Sequence, residues 1–262
     1  MDHTCFPYLY LDATYLDVRH HGHVASQAVV VAIGVSALGR REILGMAVGD
    51  SESTDLWTEF LPSLRQRGLN PTSPQHPQGV ALVISDAHAE LKTAVKAILP
   101  GSGWQHCQVH FARNITQHLG STNSKPVNAL VSTIFAQTSP ETVREAYHQV
   151  TASLQTSFPT VTSMLRDAET DLTAFAYFPT EHCKKIWPNN PTERVNTKIK
   201  RRTDLVQVLP NHASVTRLVS AALLEQHEER QYAQRRYLSN ISIRRPASLL
   251  HQNPKQATIT AA

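Results

Sequence analysis

The fold is decided in residues 8–48, which read YLYLDATYLDVRHHGHVASQAVVVAIGVSALGRREILGMAV. Three runs rich in β-branched and aromatic residues lie within this stretch, at 8–11, 24–35 and 42–48. Gly39 to Arg41 form a hairpin signal between the second and third runs. The short connections predict three antiparallel strands, the first of which is predicted to end at Asp12.

Beyond this stretch, helical and strand patterns alternate. Apolar residues recur at helical spacing over 56–64 and 91–98, and a short apolar strand at 80–84 lies between these two helices. A fifth strand is expected from Trp104, followed by a long helical region. The order β-β-β-α-β-α-β-helices predicts an α/β protein with a five-stranded mixed sheet, extended through right-handed crossovers and flanked by helices. This is the order of an RNase H-like core.

The same patterns suggest how the chain is divided. We expect the first part of the core, with all five strands, in residues 1–110 and an α-helical insertion in 111–188. C-terminal helices that complete the core are expected in 189–243, and residues 244–262 are polar and turn-rich, which predicts a disordered tail.

Composition limits the class of protein. The 262 residues carry a net charge of +4 and a pI near 9.0, a mild basic excess that is compatible with a nucleic-acid partner. Three cysteines are too few for a disulfide framework and indicate a reducing compartment. The sequence has neither a signal-peptide pattern nor an apolar run long enough to cross a bilayer. We therefore expect a cytoplasmic protein without a membrane partner.

Two aspartates follow apolar strands, Asp12 after YLYL and Asp86 after ALVIS. Side chains at the carboxyl ends of neighbouring strands converge on one edge of the sheet. Carboxylate oxygens are the ligands that Mg²⁺ prefers, and two such ions can serve phosphodiester chemistry. Asp86 could instead cap the helix that follows it, and either aspartate could be a turn former.

A third carboxylate, Glu193, stands near the start of the segment TERVNTKIKRRT, residues 192–203. Only Val195 and Ile199 form an apolar face, and Lys200 lies on the same side of the helix as Glu193. An acid that binds metal, followed by cations that bind phosphate, fits an active-site helix that tracks DNA. A solvated basic face with a favourable acid at its N-terminus is the alternative. The five cations are Arg194, Lys198, Lys200, Arg201 and Arg202.

Several segments together resemble the Mutator-type insertion-sequence transposases of bacteria, a family of DDE transposases. The resemblance is carried by PYLYLDATYLDVR (7–19), AIGVSALGRREILGMAVGDSES (32–53), ALVISDAHAELKTAV (81–95), WQHCQVHFARN (104–114) and NPTERVNTKIKRRTDLVQVLPN (190–211). It implies that Asp12, Asp86 and Glu193 are catalytic and hold two Mg²⁺ ions, for which Mn²⁺ can substitute. It also implies cleavage and strand transfer of DNA, with the chain forming a homo-oligomer when assembled on the element ends and target, at the bacterial nucleoid.

Cys107 and His110 match a Cys-x-x-His signature of this family. A zinc site with His182 and Cys183 is one interpretation, although adjacent ligands give poor tetrahedral geometry. A buried Cys107, with His110 near the acidic site or the DNA, is the interpretation we favour.

The sequence departs from the family at its N-terminus. The family's chains carry a DNA-binding region before the first catalytic strand, whereas Met1 here almost directly precedes that strand. We therefore expect the catalytic part of an N-terminally truncated copy. A non-catalytic DNA-binding remnant and an RNase H-like nuclease without strand transfer are the alternatives.

Overall fold

The computed structural model describes residues 5–20, 22–73, 76, 79–232, 236–239 and 241–243. Its strands are β1 (Tyr8–His20), β2 (His23–Val35), β3 (Arg41–Gly49), β4 (Leu82–Ser85) and β5 (Gly103–His106). Its α-helices are α1 (Thr54–Gln66), α2 (Ala89–Ile98), α3 (Gln108–Ser132), α4 (Pro140–Leu154), α5 (Pro159–Thr173), α6 (Thr180–Ile186), α7 (Asn190–Thr203) and α8 (His212–Tyr232).

The five strands form one mixed sheet in the order β3-β2-β1-β4-β5. β1, β2 and β3 pair antiparallel, and β4 and β5 extend the sheet in parallel from β1. The two parallel additions require crossovers, which α1 and α2 provide. The predicted α/β class and five-stranded sheet are thus confirmed, and the arrangement is consistent with an RNase H-like fold.

Alternation along β1 divides the core between the two faces of the sheet. Leu9 and Leu11 pack with the apolar residues of α1 and α2, including Trp57. Tyr8 and Tyr10 point to the other face, where they join apolar residues of the helices after β5. Asp12 continues the even-numbered series, so its side chain belongs to the face that also packs α7.

The prediction that β1 ends at Asp12 is wrong. The strand runs on to His20, because the antiparallel register with β2 continues from Asp12↔Val31 to His20↔His23. The pairing with β4 is short, with Tyr8↔Leu82 first and Tyr10↔Ile84 last. Asp12 therefore lies inside a long hairpin, just beyond the point at which the parallel neighbour of β1 stops.

Helices α3–α6 lie between β5 and α7, where the helical insertion is expected. Gly120, with φ 74°, interrupts α3, and Ser139 begins α4 with a capping box. The region is anchored to the sheet by Gln105 of β5, whose side chain donates to Leu172 O at 3.0 Å and accepts from Phe175 N at 2.8 Å.

The exact domain boundaries stay a prediction, and the predicted tail, residues 244–262, lies outside the described residues. Within the described part of the chain, no helix combines the length and apolar character needed to cross a membrane.

Candidate active site

Asp12 and Asp86 each lie two residues beyond the last pair between β1 and β4. Tyr10 pairs with Ile84, an offset of 84 − 10 = 74 residues, and the two aspartates differ by the same 86 − 12 = 74. Continuing that register would set the two residues on neighbouring strands about 4.8 Å apart, although the ladder itself ends at Tyr10↔Ile84. The convergence of these two carboxylates stays a prediction.

Glu193 is brought to β1 by the anchored start of α7. The side chain of Asn189, the residue before α7, donates from Nδ2 to Leu11 O at 2.9 Å. Its backbone N–H donates to Cys107 Sγ at 3.2 Å. These two bonds tie the first turn of α7, which contains Glu193, both to the strand that carries Asp12 and to the end of β5.

A cavity of about 350 Å³ lies where β1, α3 and α7 meet. Four side chains of α7 line this cavity. Counted from Glu193 they lie at positions i, i+3, i+4 and i+7, which share one helical face. Asp12 and Glu193 therefore border the same space, and Lys200 lies there as predicted. The residues that line it are Asp12, Ala13, Thr14, His110, Arg113, Glu193, Asn196, Thr197 and Lys200.

Asp12 is a buried carboxylate, with 8% of its surface exposed. Its Oδ2 accepts from Asn196 Nδ2 at 2.9 Å, and its Oδ1 lies 4.0 Å from His110 Nε2. Burial raises the pKa of Asp12 to about 7, although hydrogen-bond donors at Thr192 and the Ala13 amide lower it, and the charge of Glu193 adds to the increase. Burial also lowers the pKa of His110.

Asp86 is held in its charged form. Its Oδ1 lies 3.3 Å from His106 Nε2 and accepts from Ala87 N at 2.7 Å. Burial raises the pKa of Asp86, but the His106 contact, the charge of His110 and the Ala87 amide outweigh it and lower the pKa to about 2. His106 is itself stacked on Trp104, whose indole N–H donates to Ser85 Oγ at 2.8 Å. The residue before α2, His88, occupies the N-cap position, so Asp86 is not the helix cap.

Glu193 is paired with Arg113 of α3, with 3.3 Å between Oε1 and Nη2. As the side chains stand, no three His, Cys, Asp or Glu residues of the described ranges are close enough together to bind one metal ion. Glu193 and Asp86 each have a basic partner, whereas no Lys or Arg of the described residues pairs with Asp12 within 4.0 Å. Asp12, Asp86 and Glu193 are all carboxylates, the ligand type that Mg²⁺ and Mn²⁺ prefer. The buried one, Asp12, has no Lys or Arg partner among the described residues, which also fits a metal ion.

Cys107 and His110 have separate roles in this architecture. Cys107 is fully buried, and burial raises the pKa of its thiol to about 12, which makes it a poor metal ligand in this state. His110 borders the acidic cavity, as we favoured from the sequence. His182, named with Cys183 in the zinc interpretation, forms a 2.6 Å hydrogen bond between Nδ1 and the Tyr8 hydroxyl.

The five predicted DNA-binding cations are exposed but lie on different sides of α7. Lys200 borders the acidic cavity, whereas Lys198 and Arg202 form ion pairs with Glu229 and Glu225 of α8. Arg201 lines a second cavity of about 200 Å³ between α7 and α8. Burial lowers the pKa of the Arg41 guanidinium, and the charge of the nearby Arg194 lowers it further. Lys200 is thus the one of the five that lines the acidic cavity.

Four neighbours of the carboxylates are not found by reading the sequence. Asn196 follows Glu193 by three residues, a spacing that indicates a shared helical face, and His106 ends the strand beside Asp86. Arg113 offers no local signal, because its partner lies 80 residues away. Glu52 is a further carboxylate near Asp86. Burial raises the pKa of Glu52, and the charge of Asp86 adds to the increase, whereas His88, 3.9 Å away, lowers it.

Comparison with known proteins agrees with the resemblance seen in the sequence. A model of the family "Transposase, Mutator family" matches residues 1–233. The chain is 42% identical over 225 residues to the transposase for insertion sequence element IS1081 of Mycobacterium tuberculosis, covering 85% of this chain and 52% of that protein. It is 34% identical over 236 residues to the transposase for insertion sequence element IS256 in transposon Tn4001 of Staphylococcus aureus, covering 89% of this chain and 58% of that protein. The chain thus spans about half the length of these relatives, and it belongs to the Mutator family of transposases.

Proposed function

We propose that this chain carries the catalytic centre of an insertion-sequence transposase, which cleaves DNA and transfers the freed strand in a metal-dependent reaction. One observation supports the proposal: Asp12 and Asp86 each follow the last β1–β4 pair by two residues, and Glu193 borders the same cavity as Asp12. Asp12, Asp86 and Glu193 would hold two Mg²⁺ ions, and Mn²⁺ can take their place. When bound, these ions supply Lewis acidity toward the phosphate and the oxygens that attack and leave.

The protein side chains prepare this chemistry in distinct ways. Asp86 is ionised at neutral pH, because His106 and the Ala87 amide stabilise its charge. Asp12 is ionised more readily as the pH rises above about 7. Glu193 Oε1 is paired with Arg113, which leaves Oε2 to contribute an oxygen, and the Arg113 guanidinium beside it can bind a DNA phosphate.

Positive charge around the cavity would position the DNA without reading its sequence. Lys200 and Arg113 lie at the cavity wall, where phosphates of the backbone would approach the carboxylates. Arg194, Lys198, Arg201 and Arg202 would add phosphate contacts from other sides of α7, although Lys198 and Arg202 are paired with Glu229 and Glu225. A homo-oligomer assembled on the element ends stays part of the proposal.

The test is a joining assay on purified protein. A short duplex with a free 3′-OH is incubated with supercoiled plasmid in Mg²⁺ or Mn²⁺, and both nicking and joining are measured. Asp12→Ala, Asp86→Ala and Glu193→Ala should each abolish joining, whereas Asp17→Ala, which removes an exposed carboxylate from the same strand, should leave it unchanged. Joining retained in any of the three variants contradicts the proposal.

The same assay separates the alternatives. Nicking without joining indicates a nuclease that lacks strand transfer. Binding of DNA with a steep dependence on salt, without nicking or joining in either metal, indicates a non-catalytic remnant.

A further inference from the structure

Asn196 is the direct link between α7 and Asp12. It is buried, with 8% of its surface exposed, and its Nδ2 donates to Asp12 Oδ2 at 2.9 Å. It lies between Val195 and Ile199, both of which are packed in the core. An apolar side chain at this position would pack without the cost of burying an amide. The polar residue therefore needs a reason other than helix packing.

The amide is only half satisfied. Asn196 Oδ1 is buried and accepts no hydrogen bond from the residues that the structure describes. Buried polar atoms in folded proteins almost always have a partner, and exceptions concentrate at functional sites. The hydrogen bond that the Asn196 side chain does make goes to Asp12, a carboxylate of the acidic cavity. Holding Asp12 is therefore the reason we find for a buried amide at this position.

The contact distinguishes the two oxygens of Asp12. Oδ2 is engaged by the amide, whereas Oδ1 lies 4.0 Å from His110 Nε2, which is beyond hydrogen-bonding distance. An uncharged donor fixes the carboxylate without cancelling its charge. A lysine or arginine in the same place would neutralise Asp12 and compete with a cation.

We propose that Asn196 is a positioning residue for metal binding: its Nδ2 holds Asp12 Oδ2 so that Oδ1 stays available to a divalent cation. This inference rests on the proposed function, because it assumes that Asp12 is a metal ligand. Asn196 also fixes the distance from Asp12 to Glu193, which lies one turn earlier on the same helix. Outer residues that orient metal ligands typically contribute 10- to 100-fold to metal affinity.

The test measures Mn²⁺ binding to the intact chain by electron paramagnetic resonance at about pH 8. Thermal unfolding in EDTA is measured in parallel. Asn196→Leu keeps the side-chain volume and removes the donor, and Asn196→Ala is the second variant in case the first does not fold. Asn128→Leu is the matched control. Asn128 has the same pattern of bonded Nδ2 and unpartnered Oδ1, but it lies in α3, where its donors reach Ala112 O and Thr116 Oγ1.

We expect Asn196→Leu to weaken Mn²⁺ binding by about 10- to 100-fold while the metal-free variant still unfolds in one cooperative transition. Asn128→Leu should retain wild-type affinity. Wild-type affinity in a folded Asn196 variant overturns this inference and leaves the proposed function standing. If the wild-type chain does not bind Mn²⁺, or binds it equally without Asp12, the proposed metal site fails and the inference fails with it.

Discussion

Replacing Asp12 by asparagine should stabilise the metal-free protein. Asparagine keeps an acceptor oxygen for Asn196 Nδ2 and removes a buried charge that no Lys or Arg of the described residues pairs with. A carboxylate arranged for metal binding costs stability when the metal is absent, because nothing replaces its lost hydration. The substitution should therefore abolish activity and strengthen the fold.

The size of the effect follows from the pKa of Asp12, which burial raises from 3.8 to about 7. Each pKa unit corresponds to about 1.36 kcal/mol, so keeping Asp12 charged at pH 8 costs the folded state up to about 4 kcal/mol. Water that enters the cavity reduces this cost, and we expect a gain of about 2–4 kcal/mol for Asp12→Asn. At this chain length that corresponds to a rise in Tm of about 5–15 °C.

The gain depends on pH in a defined direction. Because the folded-state pKa lies above the unfolded-state value, the folded wild type binds a proton more tightly between pH 3.8 and about 7. Asp12 therefore lowers the stability of the wild type progressively as the pH rises through this window. The stability difference between Asp12→Asn and wild type should be largest at pH 8 and should shrink toward pH 4.

Differential scanning calorimetry in EDTA, repeated across this pH range, measures the difference. Asp17→Asn, an exposed change on the same strand, is the control and should shift stability by less than about 0.5 kcal/mol. Added Mg²⁺ should stabilise the wild type above about pH 7 and leave Asp12→Asn unchanged. An equal or lower Tm for Asp12→Asn at pH 8, or a difference that does not shrink at lower pH, would refute the reasoning.

Three further predictions concern other parts of the chain. Lys200→Ala should reduce the slope of log DNA affinity against log salt concentration by about 1 in anisotropy titrations. Lys198→Ala should change this slope less, because the Lys198 ammonium is 2.9 Å from a Glu229 oxygen. Equal losses of slope in the two variants would contradict the assignment. Cys107→Ala removes the acceptor of the Asn189 N–H and should cost about 1–3 kcal/mol in urea unfolding, and an unchanged midpoint would count against the anchoring role. Ser139→Ala should cost about 1 kcal/mol by removing the α4 cap, with Mn²⁺ affinity retained, and a loss of affinity would show that the insertion couples to the site.

The sheet and two of the carboxylates could be predicted because their signals are local. The β-rich runs and helical spacings each reflect packing within a few residues, and Asp12 and Asp86 directly follow apolar runs. The exact end of β1 could not be predicted in this way. Residues 12–20 stay in the strand because β2 pairs with them along their whole length, and pairing of this kind depends on the partner strand.

The partners of the site residues could not be predicted for a related reason. The contact between Arg113 and Glu193 spans 80 residues, and the helices α4, α5 and α6 lie between α3 and α7 in the sequence. The ion pairs of Lys198 and Arg202 with α8 depend on how two helices pack. Helical periodicity correctly placed Lys200 on the side of Glu193, but it does not show what faces the opposite side.

The most direct test of the central claim is anomalous diffraction from crystals of the chain soaked in Mn²⁺. The account predicts anomalous peaks about 2.1 Å from carboxyl oxygens of Asp12 and Asp86, with Glu193 completing the site. Absence of a peak from this cavity at saturating Mn²⁺, or a bound ion that none of the three carboxylates contacts, would contradict it.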